Sequence, residues 1–275
     1  MRDLKNSVAV ITGAAGGIGH ALAQRLAGEG VHLALVDIDE PGLLKVERDL
    51  AGAGVLVSTH VVDVGDAGRM EELASEVLRR HGRVNIVINN AGVALFGDVE
   101  EVSIADLEWL MKINFWGTVH GVKHFLPLLR QQERAIIVNI SSVFGIIAPP
   151  GQAAYAASKF AVRGFTEALR HELAGTTVQV STVHPGGIMT GIARRGRIGA
   201  AADPSILEKE SERFERLART TPARAADRIV RGMLRGETRI LVGPDARLLD
   251  LIQRLVPQRY WRIIGPMVDW KSRRP

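Results

Sequence analysis

Tyr155 and Lys159 stand four residues apart. On a helix they share one face, one turn above the other. A phenol titrates near pH 10 by itself. An ammonium beside it favours the phenolate and lowers that value. The pair could then give or take a proton near neutral pH, as general acid–base catalysis requires. Tyr and Lys are also common on helix surfaces, so the pair gains meaning only from the elements that hold it.

Those elements alternate. Apolar, Val- and Ile-rich runs at 7–12, 31–37, 55–62, 84–89, 135–141 and 177–184 read as strands. Helical patterns follow at 18–29, 40–53, 66–80, 103–130 and 152–174, with Asp66 and Ser103 placed as N-caps. Short runs that are apolar throughout suit parallel strands covered on both faces. Alternating strands and helices predict an α/β fold, a doubly wound parallel sheet with helices on both faces. Beyond 184 the pattern changes. Residues 187–221 are polar and rich in Arg and Ala, a helix is expected over 223–235 and a last strand over 237–242. Residues 248–269 mix apolar and basic side chains around Pro257 and Pro266.

Thr12, Gly13, Gly17, Ile18 and Gly19 link the first strand to the first helix. Glycines there let the backbone approach a dinucleotide pyrophosphate, and the free N–H groups of the helix start face the anion. The common G-x-G-x-x-G spacing is absent; the glycines fall at 13, 17 and 19. Asp37 ends the second strand about 20 residues on, where a carboxylate can bond a ribose 2′-hydroxyl and repel a 2′-phosphate. No Lys or Arg follows before Lys45. The expected cofactor is therefore NAD rather than NADP.

Composition narrows the function classes. The 275 residues carry a net charge of +5, are 46% hydrophobic and contain no cysteine. Disulfides and thiolate chemistry are excluded. Arginines lie scattered among acids, as in 208–219, a pattern of solvated helix faces rather than a nucleic-acid footprint. No apolar run is long enough to span a bilayer. The first residues lead into a strand with no secretory segment, so a cytoplasmic location is expected. His20, His120, His124 and His171 show no ligand spacing with acids, and no metal is expected.

With these motifs placed, the chain resembles the short-chain dehydrogenase/reductase family in its ordinary, non-extended branch, over roughly residues 7–190. The family's TGxxxGxG matches Thr12, Gly13, Gly17 and Gly19; its NNAG matches Asn89, Asn90, Ala91 and Gly92; its PG…T matches Pro185, Gly186 and Thr190. The resemblance implies a single Rossmann-type domain over 1–275, with 187–221 as substrate-loop region and 245–275 as a C-terminal extension. It implies Ser142, Tyr155, Lys159 and Asn114 as catalytic residues. It implies Gly13, Gly17, Ile18, Gly19, Asp37, Asp63, Val64, Asn90, Ala91, Gly92, Tyr155, Lys159, Pro185, Gly186, Ile188 and Thr190 as cofactor contacts.

In the implied mechanism Tyr155 protonates a carbonyl oxygen as hydride arrives from the nicotinamide, or takes the alcohol proton in reverse. Lys159 lowers the Tyr155 pKa and bonds the nicotinamide ribose. Ser142 stabilises the substrate oxygen. Asn114 holds a water that links Lys159 to solvent, and Thr190 bonds the carboxamide. Ser141 is the alternative serine, although the family spacing favours Ser142. Asn89 and Asn90 are expected to tie strand ends together, and His184 to be packed in its strand. Asn85 departs from the family's usual Asp.

The substrate is expected to be a secondary alcohol or ketone, hydrophobic and steroid- or lipid-like, on an apolar lining of Val93, Leu95, Phe96, Phe144, Ile146, Ile147 and Met189. The 248–270 segment is expected to cover a subunit interface or the substrate loop, in preference to an anionic membrane surface. A homodimer or homotetramer is expected through helices 103–130 and 152–174. Two other readings stand beside this one: a catalytically silent NAD-binding sensor or scaffold, and a basic peripheral membrane protein on the same fold.

Overall fold

In the computed structural model, residues 4–267 are described. The elements are β1 (Val8–Thr12), α1 (Gly17–Ala27), β2 (His32–Asp37), α2 (Glu40–Asp49), β3 (Val57–Val61), α3 (Ala67–His81), β4 (Ile86–Asn89), β5 (Leu95–Phe96), α4 (Ile104–Met111) and α5 (Gly117–Leu129). They continue with β6 (Ala135–Ile140), α6 (Ala153–Glu172), β7 (Val178–Pro185), β8 (Arg197–Ile198), α7 (Ser205–Leu217), α8 (Pro222–Leu234), β9 (Arg239–Val242), α9 (Pro244–Leu255) and α10 (Tyr260–Met267).

Seven strands form one parallel sheet in the order β3-β2-β1-β4-β6-β7-β9. The expected doubly wound α/β fold is the observed one. Strand period sets the two cores. Ala9, Ile11, Leu33, Leu35, Ile86, Ile88, Ile136 and Val138 pack with α1, α2 and α8 on one face. Val10, Ala34, Val36, Val87 and Ile137 pack with α3, α5 and α6 on the other. Each of these larger side chains, fully buried, stabilises the fold by about 1.5–3 kcal/mol. Neighbouring strands β1 and β4 lead outward in opposite directions, so a crevice opens at their C-terminal ends, where ligands bind in such sheets.

Three differences from the sequence reading have physical causes. The predicted 103–130 helix is interrupted: α4 gives way to a π-helical stretch, Lys112–Trp116, before α5 begins. A widened turn suits a functional site, and it contains Asn114. Ser103 caps α4 in a reciprocal box with Asp106. A small second sheet pairs β5 with β8, joining the 93–98 and 187–199 segments, which two-residue strands do not announce in sequence. Through residue 267 the 248–269 stretch forms two helices, α9 and α10, parted near Pro257; Pro266 lies inside α10. Val268 and Asp269, with the Trp270, Lys271, Arg273 and Arg274 end, lie outside the described residues. No helix among the described residues is long and apolar enough to cross a membrane.

Buried amides tie the centre together. Asn89 Nδ2 donates to Asn139 Oδ1 at 2.8 Å, and Asn139 Nδ2 donates to Thr166 Oγ1 at 2.9 Å, linking β4, β6 and α6. Gly121 of α5 lies against Asn89, and an added Cβ would overlap Asn89 Oδ1. Gly121→Ala is expected to destabilise the fold by about 1–3 kcal/mol. An unchanged melting temperature in calorimetry would refute that packing.

Candidate active site

The crevice at the β1/β4 switch is a cleft of ≈ 710 Å³ that runs from the glycine turn to α10. At its first end, φ is +66° at Gly13 and +56° at Gly17, a backbone region that L side chains avoid. A Cβ on Gly13 would lie 2.8 Å from Ala91 Cα, and one on Gly17 would lie 3.2 Å from Thr190 Cγ2. Gly19 faces inward: its Cβ would overlap Gly13 O, so it lets α1 close on the turn and does not line the cleft. Thr12 Oγ1 accepts from the N–H groups of Asn90 and Ala91, both at 3.0 Å, and Asn90 Nδ2 donates to Thr12 O at 2.9 Å. The turn and the Asn90–Gly92 segment are thus one unit. Gly16, at the α1 N-cap, offers no side-chain cap and the first turn holds no acid. Its N–H groups suit an anion.

Asp37 Oδ2 accepts from Ala15 N at 3.0 Å, and Oδ1 accepts from Ile38 N and Asp39 N. Asp37, Asp63 and Val64 all line the same end of the cleft, together with Ile18. Asp63 is half-exposed beside Lys112, whose Nζ is 3.4 Å from Oδ2. The turn, the open helix start and an acid at the tip of β2 form a cradle that fits a dinucleotide.

At the middle of the cleft, α6 projects Tyr155 and Lys159 from one face, and both line it. Tyr155 faces the cleft together with Ser142 and packs edge-on against Phe144, with ring centroids 6.1 Å apart. Lys159 is 3% exposed; Nζ donates to Ile140 O at 3.1 Å and lies 5.8 Å from the centroid of the Tyr155 ring. Burial lowers the Lys159 pKa to about 8. The expectation that Lys159 draws the Tyr155 pKa down is not met. Burial pushes Tyr155 up to about 12, against a smaller opposing effect of the Ser142 hydroxyl. The ammonium is turned toward the Ile140 carbonyl, and desolvation of the phenolate dominates.

The two serines separate. Ser141 Oγ donates to Lys159 O at 2.8 Å and is buried in that bond. Ser142 Oγ accepts from Phe144 N at 3.1 Å and reaches Tyr155. His184, packed in β7 as expected, has Nδ1 2.9 Å from Ser142 O and so bears on the serine's backbone. Asn114 is fully buried behind the cleft. Its Oδ1 accepts from Val93 N at 2.8 Å, and Nδ2 donates to Val93 O and Ser158 Oγ, both at 3.1 Å. These bonds hold the Gly92–Val93 segment against α6, and a Cβ on Gly92 would sit 3.3 Å from Lys159 Nζ.

Pro185, Gly186, Ile188 and Thr190 line the cleft beyond β7. Gly187 N donates to Asp245 Oδ2 at 2.6 Å, tying this loop to the start of α9. Of the predicted apolar lining, Val93, Phe96, Phe144 and Ile147 face the cleft. Leu95 and Ile146 do not; they are core residues, and Met189 is 55% exposed. Strand pairing of β5 with β8 and the short helical turn at 143–145 set those directions. The sequence reading missed Trp109, Gln152, Arg195, Arg197, Asp245, Leu249, Trp261 and Ile264, which also line it. Trp261 and Asp245 in the C-terminal stretch were the available signals. Neither says which way its helix turns.

Fold and site together define a nucleotide-binding α/β oxidoreductase with a Tyr–Lys–Ser centre. Residues 7–199 match the short chain dehydrogenase family. The chain is 42% identical over 267 residues, 96% of either chain, to a Mycobacterium tuberculosis protein named "Putative oxidoreductase SadH". It is 35% identical over 219 residues to a CLA biosynthesis dehydrogenase/reductase of Lactiplantibacillus plantarum, covering 78% of this chain and 77% of that one. A crystal structure of a short-chain dehydrogenase/reductase from Burkholderia phymatum in complex with NAD superposes with a TM-score of 0.86 at 32% identity, covering 94% of this chain and 96% of that one. The chain belongs to the short-chain dehydrogenase/reductase family.

His184 supplies a pH test. Burial holds its pKa at about 4, below the ordinary 6.5. Above pH 6.5 both folded and unfolded states are neutral there. As pH falls from 6.5 to 4 only the unfolded state gains the proton, so stability drops. His184→Gln is therefore expected to lose less melting temperature between pH 7.5 and pH 5 than the parent chain; equal losses would contradict a buried, neutral imidazole.

Proposed function

We propose that this oxidoreductase interconverts a secondary alcohol and a ketone on an apolar substrate with NAD(H), Tyr155 exchanging the proton. The observation that carries the reading is that Tyr155 and Ser142 line one cleft with the glycine turn, with Lys159 buried beneath the Tyr155 ring. Gly13, Gly17, Ile18, Asn90, Ala91 and Gly92 would hold the dinucleotide, with Asp63 and Val64 at its adenine end. Asp37 would accept from the adenosine ribose and disfavour a 2′-phosphate. Pro185, Gly186, Ile188 and Thr190 would meet the nicotinamide end. When bound, the nicotinamide supplies or accepts the hydride.

The chain's own residues divide the remaining work. Tyr155, neutral at pH 7 with its raised pKa, donates its proton to the carbonyl oxygen in reduction and regains it from the alcohol in oxidation. Lys159 stays predominantly charged at pH 7 beneath the Tyr155 ring and would bond the nicotinamide ribose. Ser142 orients the substrate oxygen beside Tyr155, its backbone steadied by His184. Asn114 keeps the Gly92–Val93 wall in place. The apolar end, made by Phe96, Phe144, Ile147, Leu249, Trp261 and Ile264, favours a hydrophobic substrate. Exposed Ile104, Trp116 and Phe160 on the long helices support pairing of subunits there.

Tyr155→Phe is expected to lower kcat at least ~100-fold while the affinity for NADH is kept. The assay follows reduced-nicotinamide absorbance across a panel of alcohols and ketones. Retained turnover, or a preference for NADP(H) in the parent chain, would count against the reading. Removal of residues 257–275 is expected to raise KM for apolar substrates several-fold without changing NADH affinity, because Tyr260, Trp261 and Ile264 close the substrate end. Unaltered KM would remove α10 from the substrate site.

A further inference from the structure

Arg195 stands over the glycine turn without an acidic partner. Its neighbour Arg194 is bridged to Glu215, whereas no carboxylate among the described residues lies within ion-pair distance of Arg195. Its two terminal nitrogens lie 3.7 and 3.8 Å from the position a Cβ would take on Gly16, the N-cap of α1. The backbone of Gly16 is extended, at φ −166°, so its conformation does not demand glycine. A Cβ there would make ordinary van der Waals contact with the guanidinium, which places Arg195 directly over the helix start. Asp37, Asp39 and Asp63 line this end of the cleft, and the Asp37 carboxylate oxygens already accept from Ala15, Ile38 and Asp39 N–H groups.

Two positive features therefore face one lane. One is the uncapped start of an 11-residue helix, with no acid in its first turn. The other is a guanidinium, whose planar fork matches phosphate oxygens. Like charges so placed gain most from an anion between them. The backbone that carries Arg195 is anchored rather than loose: Arg195 N donates to Gly191 O at 3.1 Å, and Arg197 N donates to Ala94 O at 2.9 Å. Thr190, on the same segment, touches Gly17. One short stretch thus spans from the glycine turn to the β5–β8 pair that walls the substrate end.

We propose that Arg195 binds the pyrophosphate of the dinucleotide from the side opposite α1, and so couples the 188–199 substrate segment to the bound cofactor. The ligand group is a diphosphate ester; the proposal rests on the reading of this cleft as a dinucleotide site. Arg195 does not touch the Tyr155–Ser142 pair, so its contribution falls on binding rather than on proton exchange.

The test measures calorimetric affinity for ADP-ribose and for adenosine in the parent chain, Arg195→Gln and Arg195→Lys. Arg195→Gln is expected to weaken ADP-ribose about tenfold and leave adenosine unchanged, with Arg195→Lys intermediate. Added salt is expected to weaken ADP-ribose binding more in the parent than in Arg195→Gln. The ligand-free melting temperature of Arg195→Gln is expected to match the parent, since the side chain has no partner to lose. Equal ADP-ribose affinity in parent and Arg195→Gln would overturn the proposal. So would a parallel loss of adenosine affinity, which would make Arg195 a general support of the fold. If the parent chain binds no ADP-ribose, the dinucleotide reading itself fails and takes this one with it.

Discussion

An ammonium held almost out of water is the constraint around which the centre is built. Lys159 is enclosed by β6, α6 and the Gly92 segment, and its Nζ donates to the Ile140 carbonyl. Desolvation weakens its hold on the proton, which is why its pKa falls to about 8. A cation in such a place destabilises the fold unless its surroundings are over-determined. The surroundings here are: Ser141 and Ser158 are committed to backbone carbonyls of α6, and Asn114 gives its whole amide to Val93 and Ser158. Removing any of these loosens the wall against which Lys159 is pressed. The same burial keeps Tyr155 protonated, so the bare site is set to give a proton.

Close approach is the second theme, and glycine makes it. Gly13, Gly19, Gly92 and Gly121 each stand where a Cβ would meet backbone, a buried amide or the Lys159 ammonium. The glycine turn is therefore as much a packing device as a binding one. Thr12 and Asn90 lock it to β4, which brings the two halves of the sheet to the same depth at the crevice. The π-helical stretch at 112–116 serves the same end from the opposite wall, by turning Asn114 inward where an uninterrupted helix would carry a different register.

The C-terminal helices close the substrate end by a different physics. Their inner faces, Leu249, Trp261 and Ile264, add apolar surface to the cleft, and Tyr260 Oη accepts from Ala148 N at 3.2 Å. Asp245 binds the Gly187 amide, so α9 also carries a polar tie to the loop after β7. The Ala148 and Gly187 ties come from beyond β9, on the segment that follows the shared sheet. Variation in that segment would change the substrate wall while leaving the proton-exchange centre alone.

Much of this protein was legible in its residues taken in order. Strand and helix periodicity, the 13-17-19 glycines, Asp37 at a strand end and the Tyr155–Lys159 spacing are local patterns, and local patterns survive without a structure. They determined the doubly wound sheet and placed the glycine turn at the end of its first strand. Tertiary structure alone decided which of Ser141 and Ser142 shares the cleft wall with Tyr155, that Leu95 and Ile146 turn into the core, that Arg195 faces Gly16, and that burial raises the Tyr155 pKa. Each of these depends on the direction of a side chain relative to elements tens of residues away, and on how much water that packing removes. Spacing along the chain carries neither quantity.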